Sequence, residues 1–287
     1  NMKIIKYFFQ AFLIFIFFTI CKLIGYKLSS NLGSLIGATI GPFLRSKNVL
    51  QNNIKKAFSN IEKVEIDHIS KNMWKNYGRI LAEYVFLKHF RNSNFNKYIS
   101  IEGEEILLNI KRNKDPVIFV SGHFNNFELL AMIIEKAGVD LAALYRPLNN
   151  FFLNRIIVNL RKRYICKKQI PKGITGVKDM AKEFKKGTSL ALMIDQRVSE
   201  GEKINFFNHP AYTTTLPAQF IKKYRCAVVP VHIERKNKYF FKVNIEQPIK
   251  FDETKTLDQI TLSLNNWLEK KIIKKADQWI WSHNRWK

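Results

Sequence analysis

The chain has 287 residues, 46% of them hydrophobic, which allows a sizeable core and excludes a disordered chain. Three cysteines, Cys21, Cys166 and Cys226, lie far apart without metal or redox spacing. They read as free thiols of a reducing compartment, which excludes a disulfide framework. A net charge of +25 calls for an anionic partner: nucleic acid, acidic lipid head groups or an acidic protein. The abundance of Lys, Asn, Ile and Phe gives a second account of that charge, as the bias of an AT-rich coding sequence. The basic residues are dispersed in pairs such as Lys55–Lys56 and Lys222–Lys223, with no arginine-rich arm, and this weighs against nucleic acid.

Tyr7 to Ile20 reads YFFQAFLIFIFFTI, uncharged and almost wholly apolar, with Lys3 and Lys6 before it and Lys22 after. Carried on to Ile24 it has the roughly 20 residues that a bilayer core requires. The following CKLIGYKL offers no small-x-small cleavage site, so residues 1–25 are expected to be an uncleaved single-pass anchor. A cleaved signal peptide and a buried core helix are the rival readings. Lys22, Lys27, Arg45, Lys47, Lys55 and Lys56 follow the segment, and the positive-inside tendency places residues 26–287 on the cytoplasmic face. Between Leu28 and Leu44, Gly33, Gly37 and Gly41 fall every fourth residue and give a helix a smooth face. A membrane-surface or re-entrant helix and a helix packed closely on the domain both fit that face.

From Arg45 to about Arg91 apolar residues recur at helical intervals. PVIFVSG (Pro116 to Gly122) then reads as a buried strand and NNFELLAMIIEKAG as a helix with Gly138 as its stop. VDLAALY, SLALMID, CAVVPVHIER and YFFKVNIEQPI read as further strands. FFLNRIIVNLRKRY, GITGVKDMAKEFKKG, LPAQFIKKYR and LDQITLSLNNWLEKKIIKKA read as helices. The alternation predicts an α/β domain over residues 26–287, with a central, mostly parallel sheet flanked by helices.

In VSGHFNNFELL a strand ends at Gly122, His123 stands at its carboxyl end, and a helix follows. That edge of an open α/β sheet is where ligands usually bind, and an imidazole there is a candidate general base. Glu128, five residues on, is a candidate to hold one ring nitrogen and fix the tautomer. A capping box with Asn125 as N-cap accounts for the same glutamate without chemistry. No cluster of residues has metal-ligand spacing.

HFNNFE looks like the histidine–four residues–acid motif of glycerolipid-type acyltransferases. SGHFNNFELL in particular resembles the late acyltransferases of lipid A biosynthesis, the lauroyl and myristoyl transferase family. YRPLNN, GITGVKDMAKEFKKG, MIDQR, FFNHPAYTTTLPAQFIKKYRCAVVPVHIER, the terminal WIWSHNRWK and the earlier NVLQNNIKKAF follow the same order, so the resemblance covers nearly the whole chain. His209 and Asn208 depart from it, since a phenylalanine–glycine pair is expected before the proline, and the turn geometry there is in question.

The resemblance implies a membrane enzyme of the cell inner membrane, without metal or cofactor. It would move a fatty acyl chain from an acyl carrier protein thioester to a hydroxyl of a lipid A precursor. His123 would be the base and Glu128 its orienting acid. Arg146, at the end of the next strand, is a candidate oxyanion donor or phosphate ligand, against a plain surface ion pair. Asp195 also ends a strand, as a candidate to position the acceptor hydroxyl or pair with Arg146, against a turn cap. Gln196 and Arg197 are weaker substrate-binding candidates, and Thr213 to Thr215 read as helix caps. The same chemistry on another glycolipid acceptor, such as a phosphatidylinositol mannoside, is the alternative. A membrane-tethered basic binding protein without chemistry is the reading from a different class.

Overall fold

A computed structural model describes residues 2–287, and Asn1 lies outside them. The chain opens with helices α1 (Met2–Ile24) and α2 (Tyr26–Leu44), then α3 (Lys47–Ala57), α4 (Lys63–Glu83) and α5 (Leu87–Arg91). The α/β part continues through β1 (Ile99–Glu102), α6 (Glu104–Asn113), β2 (Ile118–Ser121), α7 (Glu128–Lys136) and β3 (Leu141–Tyr145). Next come α8 (Phe151–Leu160), β4 (Lys168–Pro171), α9 (Ile174–Lys185), β5 (Ser189–Met193) and a hairpin of β6 (Glu202–Phe206) and β7 (His209–Thr213). The chain closes through α10 (Leu216–Tyr224), β8 (Val228–Arg235), β9 (Phe241–Ile245) and α11 (Leu257–Lys274).

The main sheet has seven strands in the order β1-β9-β8-β2-β5-β3-β4. Neighbours are parallel except β8 and β9, so the expected mostly parallel sheet is present. The central strands β2 and β8 are buried along their length. A parallel strand covered on both faces needs continuous rather than alternating apolar residues, which is what IFVS and VVPV supply. The strands β1 and β4 and the β6–β7 hairpin lie outside the strands read from sequence. The hairpin turns through Phe207 and Asn208, both in the left-handed region at φ 51° and 58°. A two-residue turn with both central residues there matches the strand twist, and asparagine is well suited to it. Asn208 therefore stands in for the expected glycine without opening the hairpin.

The glycine face of α2 packs on α4. A Cβ at Gly33 would fall on the carbonyl oxygen of Gly78, and one at Gly37 on that of Trp74. Gly78 answers from the other side, where a Cβ would fall on the Gly33 carbonyl. Of the two readings open for this segment, close packing against the domain accounts for its glycines. The opposite face of α2 keeps Leu28, Leu35 and Phe43 exposed. Helix α1 is long and apolar enough to cross a membrane, with a mean hydropathy of 2.1.

Candidate active site

The register of the sheet builds the site. Strands β2 and β5 run parallel, with Ser121 paired to Met193. His123 and Asp195 each stand two residues beyond that pair, so both emerge at the same carboxyl edge. Gly122 keeps the bend tight, since a Cβ there would lie 2.9 Å from the Phe124 ring and 3.2 Å from Asp195 Oδ2. His123 donates its backbone N–H to Asp195 Oδ2 at 2.7 Å, and its ring Nδ1 lies 2.8 Å from Asp195 Oδ1. Trp279 Nε1–H donates to the same Oδ2 at 2.8 Å.

Asp195 is fully buried and the His123 side chain is 19% exposed. Burial alone would raise the Asp195 carboxyl, but His123 and the converging donors outweigh it and hold the group below its ordinary value. An Nδ1–H directed at a carboxylate leaves Nε2 as the ring's basic nitrogen. The Phe127 ring packs edge-on against the imidazole, with centroids 4.7 Å apart.

Glu128 has different partners. It is the first residue of α7, and its Oε1 accepts from Arg161 Nε at 2.9 Å, from Arg161 Nη2, and from the Tyr84 hydroxyl. Among the described residues no hydrogen bond joins Glu128 to His123. The carboxylate that meets the His123 ring is that of Asp195 rather than Glu128, because sheet register brings β5 to the imidazole while α7 turns Glu128 toward α8. The capping box fails as well: Phe127 occupies the N-cap, and Asn125 sits at φ 45° with its side-chain oxygen accepting from Asn126 N.

Arg161 opens a π-helical turn, Arg161–Ile165, at the end of α8. Such turns are rare and often mark functional sites, and this one delivers the guanidinium to Glu128. Burial would lower the Arg161 pKa, but Glu128 and Tyr84 more than offset it and raise it. Burial, then Glu128, pushes the Tyr84 hydroxyl well above its ordinary range.

The bend from His123 to Glu128 is held from behind by a buried network. Arg235 donates Nη1 to Glu83 Oε1 at 2.6 Å and Nη2 to Oε2 at 3.0 Å, while Asn126 Nδ2 donates to the same Oε2 at 2.8 Å. Asn125 donates its N–H to the Gln278 carbonyl at 2.9 Å and its amide to Gln278 Oε1 at 2.8 Å. The strap after α11 thereby braces the bend at Gln278 and Trp279. Asn53 of α3 fixes the strap in turn, donating to the carbonyls of Trp281 at 2.8 Å and His283 at 2.7 Å.

The other expected residues spread out. Arg146 follows β3, is exposed, and makes no hydrogen bond or ion pair among the described residues. Asp195 pairs with His123 rather than with Arg146. Gln196 is half-buried beside it. Arg197 donates its backbone N–H to His283 Nε2 at 2.9 Å and its Nε to the Lys287 carbonyl at 3.1 Å. Burial pushes His283 down to about 4, so it accepts that bond as a neutral ring. Of the three threonines, Thr214 accepts from Leu216 N at the start of α10 and Thr215, at the N-cap, accepts from Gln219 Nε2, whereas Thr213 accepts from Arg285. Tyr84, Arg161, Trp279 and His283 join the site without having been singled out. For Trp279 and His283 the signal was the polar and aromatic ending WIWSHNRWK, whereas nothing in the spacing of FFLNRIIVNLRKRY marks its π-turn.

The family model for bacterial lipid A biosynthesis acyltransferases matches residues 1–287. The lipid A biosynthesis palmitoleoyltransferase of Escherichia coli (strain K12) is 24% identical over 267 residues, covering 91% of this chain and 86% of the relative. A lipid A biosynthesis acyltransferase of Haemophilus influenzae is 24% identical over 250 residues, 85% of this chain and 78% of the relative. Among solved structures, the 1-acyl-sn-glycerophosphate acyltransferase of Thermotoga maritima aligns at TM-score 0.43 and 14% identity, over 88% of this chain and 99% of that one. By the family match along its whole length, this chain belongs to the bacterial lipid A biosynthesis acyltransferases.

Proposed function

We propose that this protein transfers a fatty acyl chain from an acyl carrier protein thioester to a hydroxyl of a lipid A precursor, with His123 as general base. The observation that carries this reading is the Asp195-held imidazole at the carboxyl edge of β2 and β5. An aliphatic hydroxyl needs a base as it attacks the thioester carbonyl. His123 Nε2 takes that proton, the tetrahedral intermediate collapses, and the departing thiolate recovers the proton from the imidazolium. Asp195 holds the tautomer and stabilises the transient cation.

Glu128 acts here through Arg161. The carboxylate fixes a largely buried guanidinium beside Tyr84, and the cation orients the polar part of the acceptor and stabilises negative charge on the reacting carbonyl. The exposed Arg146 is assigned to an acceptor phosphate, with Gln196 and Arg197 beside Asp195 at the rim. A net charge of +25 suits both an acidic carrier protein and an anionic saccharide lipid. The chain is organised as an N-terminal membrane anchor in residues 1–25 and a catalytic domain in residues 26–287, at the cytoplasmic face of the inner membrane.

The test is a purified-enzyme assay offering an acyl carrier protein thioester, the matching coenzyme A thioester and a lipid A precursor, read by mass spectrometry. Acylated lipid from the carrier-protein thioester, lost with His123→Ala, is the expected result. Full turnover by the His123→Ala protein would refute the assignment of the base.

A further inference from the structure

Length and hydropathy alone suit α1 to an upright crossing, but its packing tells otherwise. Along the helix, Tyr7, Ala11, Ile14, Phe17, Phe18 and Cys21 are less exposed than the residues between them. That three- and four-residue spacing is a single stripe, so one face of α1 rests on the protein from Tyr7 to Cys21, about 21 Å at the helical rise. Both ends are tied down. Near the start, Asn150 Nδ2 donates to the Tyr7 carbonyl at 2.9 Å and to Gln10 Oε1 at 3.3 Å, and Phe8 meets Phe152 of α8 with ring centroids 5.9 Å apart. Near the other end, Ser29 Oγ donates to the Cys21 carbonyl at 2.6 Å.

An upright α1 would therefore take the start of α8 most of the way through a hydrocarbon core of roughly 30 Å. Exposed Arg155 lies one turn beyond Phe152, and a charge near the bilayer centre is costly. The flanking charges agree. Lys3 and Lys6 stand at one end of α1, Lys22 and Lys27 at the other, with no acidic residue between. Applied to both ends, the positive-inside tendency puts both on the same side, where anionic head groups attract them. The face turned away from the domain is apolar, with Phe9 58% and Phe15 64% exposed, and Phe151 of α8 continues it at 52%.

We propose that α1 lies lengthwise in a single leaflet against the catalytic domain, both ends on the domain's own side, and that the first turn of α8 enters the leaflet beside it. The occupant of this surface is the acyl region of an anionic lipid leaflet. The active-site edge is thereby held at the depth where a lipid hydroxyl and a fatty chain meet.

Sidedness of labelling tests this without any turnover, so its outcome is separate from that of the acyl-transfer reading. In full-length protein carrying Cys226→Ser, where the two remaining cysteines are buried, Lys3→Cys and Lys250→Cys are each treated with a membrane-impermeant maleimide. Spheroplasts and inverted vesicles from the same cells are compared, with detergent-opened membranes as the full-labelling reference. Both positions are expected to label in inverted vesicles and to be shielded in spheroplasts. Labelling of Lys3→Cys in spheroplasts while Lys250→Cys labels in inverted vesicles would mean a crossing helix and overturn the proposal. For α8, a nitroxide at Phe151→Cys in anionic vesicles is expected to relax with oxygen rather than with a water-soluble nickel chelate. Relaxation by nickel as strong as at Lys250→Cys would remove α8 from the leaflet.

Discussion

The backbone N–H and the ring Nδ1 of His123 both close on the one carboxylate of Asp195, at 2.7 and 2.8 Å. This two-point grip fixes the ring's position and tautomer together. With Trp279 as a third donor, the carboxylate accepts three hydrogen bonds, which favours its ionised form.

Asp195→Asn is expected to keep the fold and lose turnover. An amide still accepts the His123 backbone N–H, but its NH2 group then faces Nδ1 and forces the wrong tautomer. The loss in kcat should be about 10³-fold or more, with an unchanged circular dichroism spectrum. Turnover within a few-fold of the parent would show that Asp195 does not orient the base.

Glu128→Gln should behave differently, because it strands a largely buried guanidinium. Breaking a buried pair from one side costs about 3–5 kcal/mol, so a marked fall in Tm should accompany the loss of activity. Adding Arg161→Met should return much of the stability and none of the activity. A single variant with unchanged Tm would mean that the Glu128–Arg161 pair contributes no net stability.

Trp279→Phe keeps most of the packing and removes one hydrogen bond to Asp195. A bond to a charged acceptor contributes roughly 1.5–3 kcal/mol, and the Asp195 carboxyl should climb toward its ordinary range as the donor is lost. We expect a Tm decrease of corresponding size and turnover down by about tenfold for each 1.4 kcal/mol of lost transition-state stabilisation. Activity equal to the parent would confine Trp279 to packing.

Gly78→Ala tests the α2–α4 contact. The new methyl meets the Gly33 carbonyl, which is backbone and cannot swing aside. Overpacking of this kind costs typically about 1–3 kcal/mol, visible as a lower Tm in detergent or nanodiscs. A Gly78→Ala protein as stable as the parent would place α2 further from α4.

His232 provides a pH signature. Burial, and then Lys271, lowers it from 6.5 to about 4, so the unfolded chain takes up a proton that the folded chain refuses. Its contribution is complete above the unfolded value and is lost as pH falls from about 6.5 toward 4. The linked loss reaches about 3 kcal/mol at the lower end. His232→Leu should flatten that part of the stability–pH curve in chemical denaturation, and an unaltered slope would assign acid sensitivity elsewhere.

The central strands were legible because burial on both faces leaves an unbroken apolar run, as in IFVS and SLALM. β4 escaped because KQIP at the sheet edge is too short and polar for such a run, and β6 and β7 because EKINF and HPAYT hold no unbroken apolar run. The position of His123 at a strand end was equally readable. Its partner was not. Glu128 is five residues away along the chain, whereas Asp195 is seventy-two away and becomes a neighbour only through the pairing of Ser121 with Met193. The local bend after His123 decides the rest, since it turns Glu128 to Arg161, itself aimed by a π-turn with no sequence signature.

The strap that carries Gln278 and Trp279 lies 153 residues beyond the Asn125 it holds, on the far side of α11. Asp195 takes its indole donor and Asn125 its amide partner from that one segment, so undocking the strap would loosen the bend and the carboxylate together. A disturbance anywhere along the strap, Asn53's grip on it included, can thus reach His123 without touching β2 or β5.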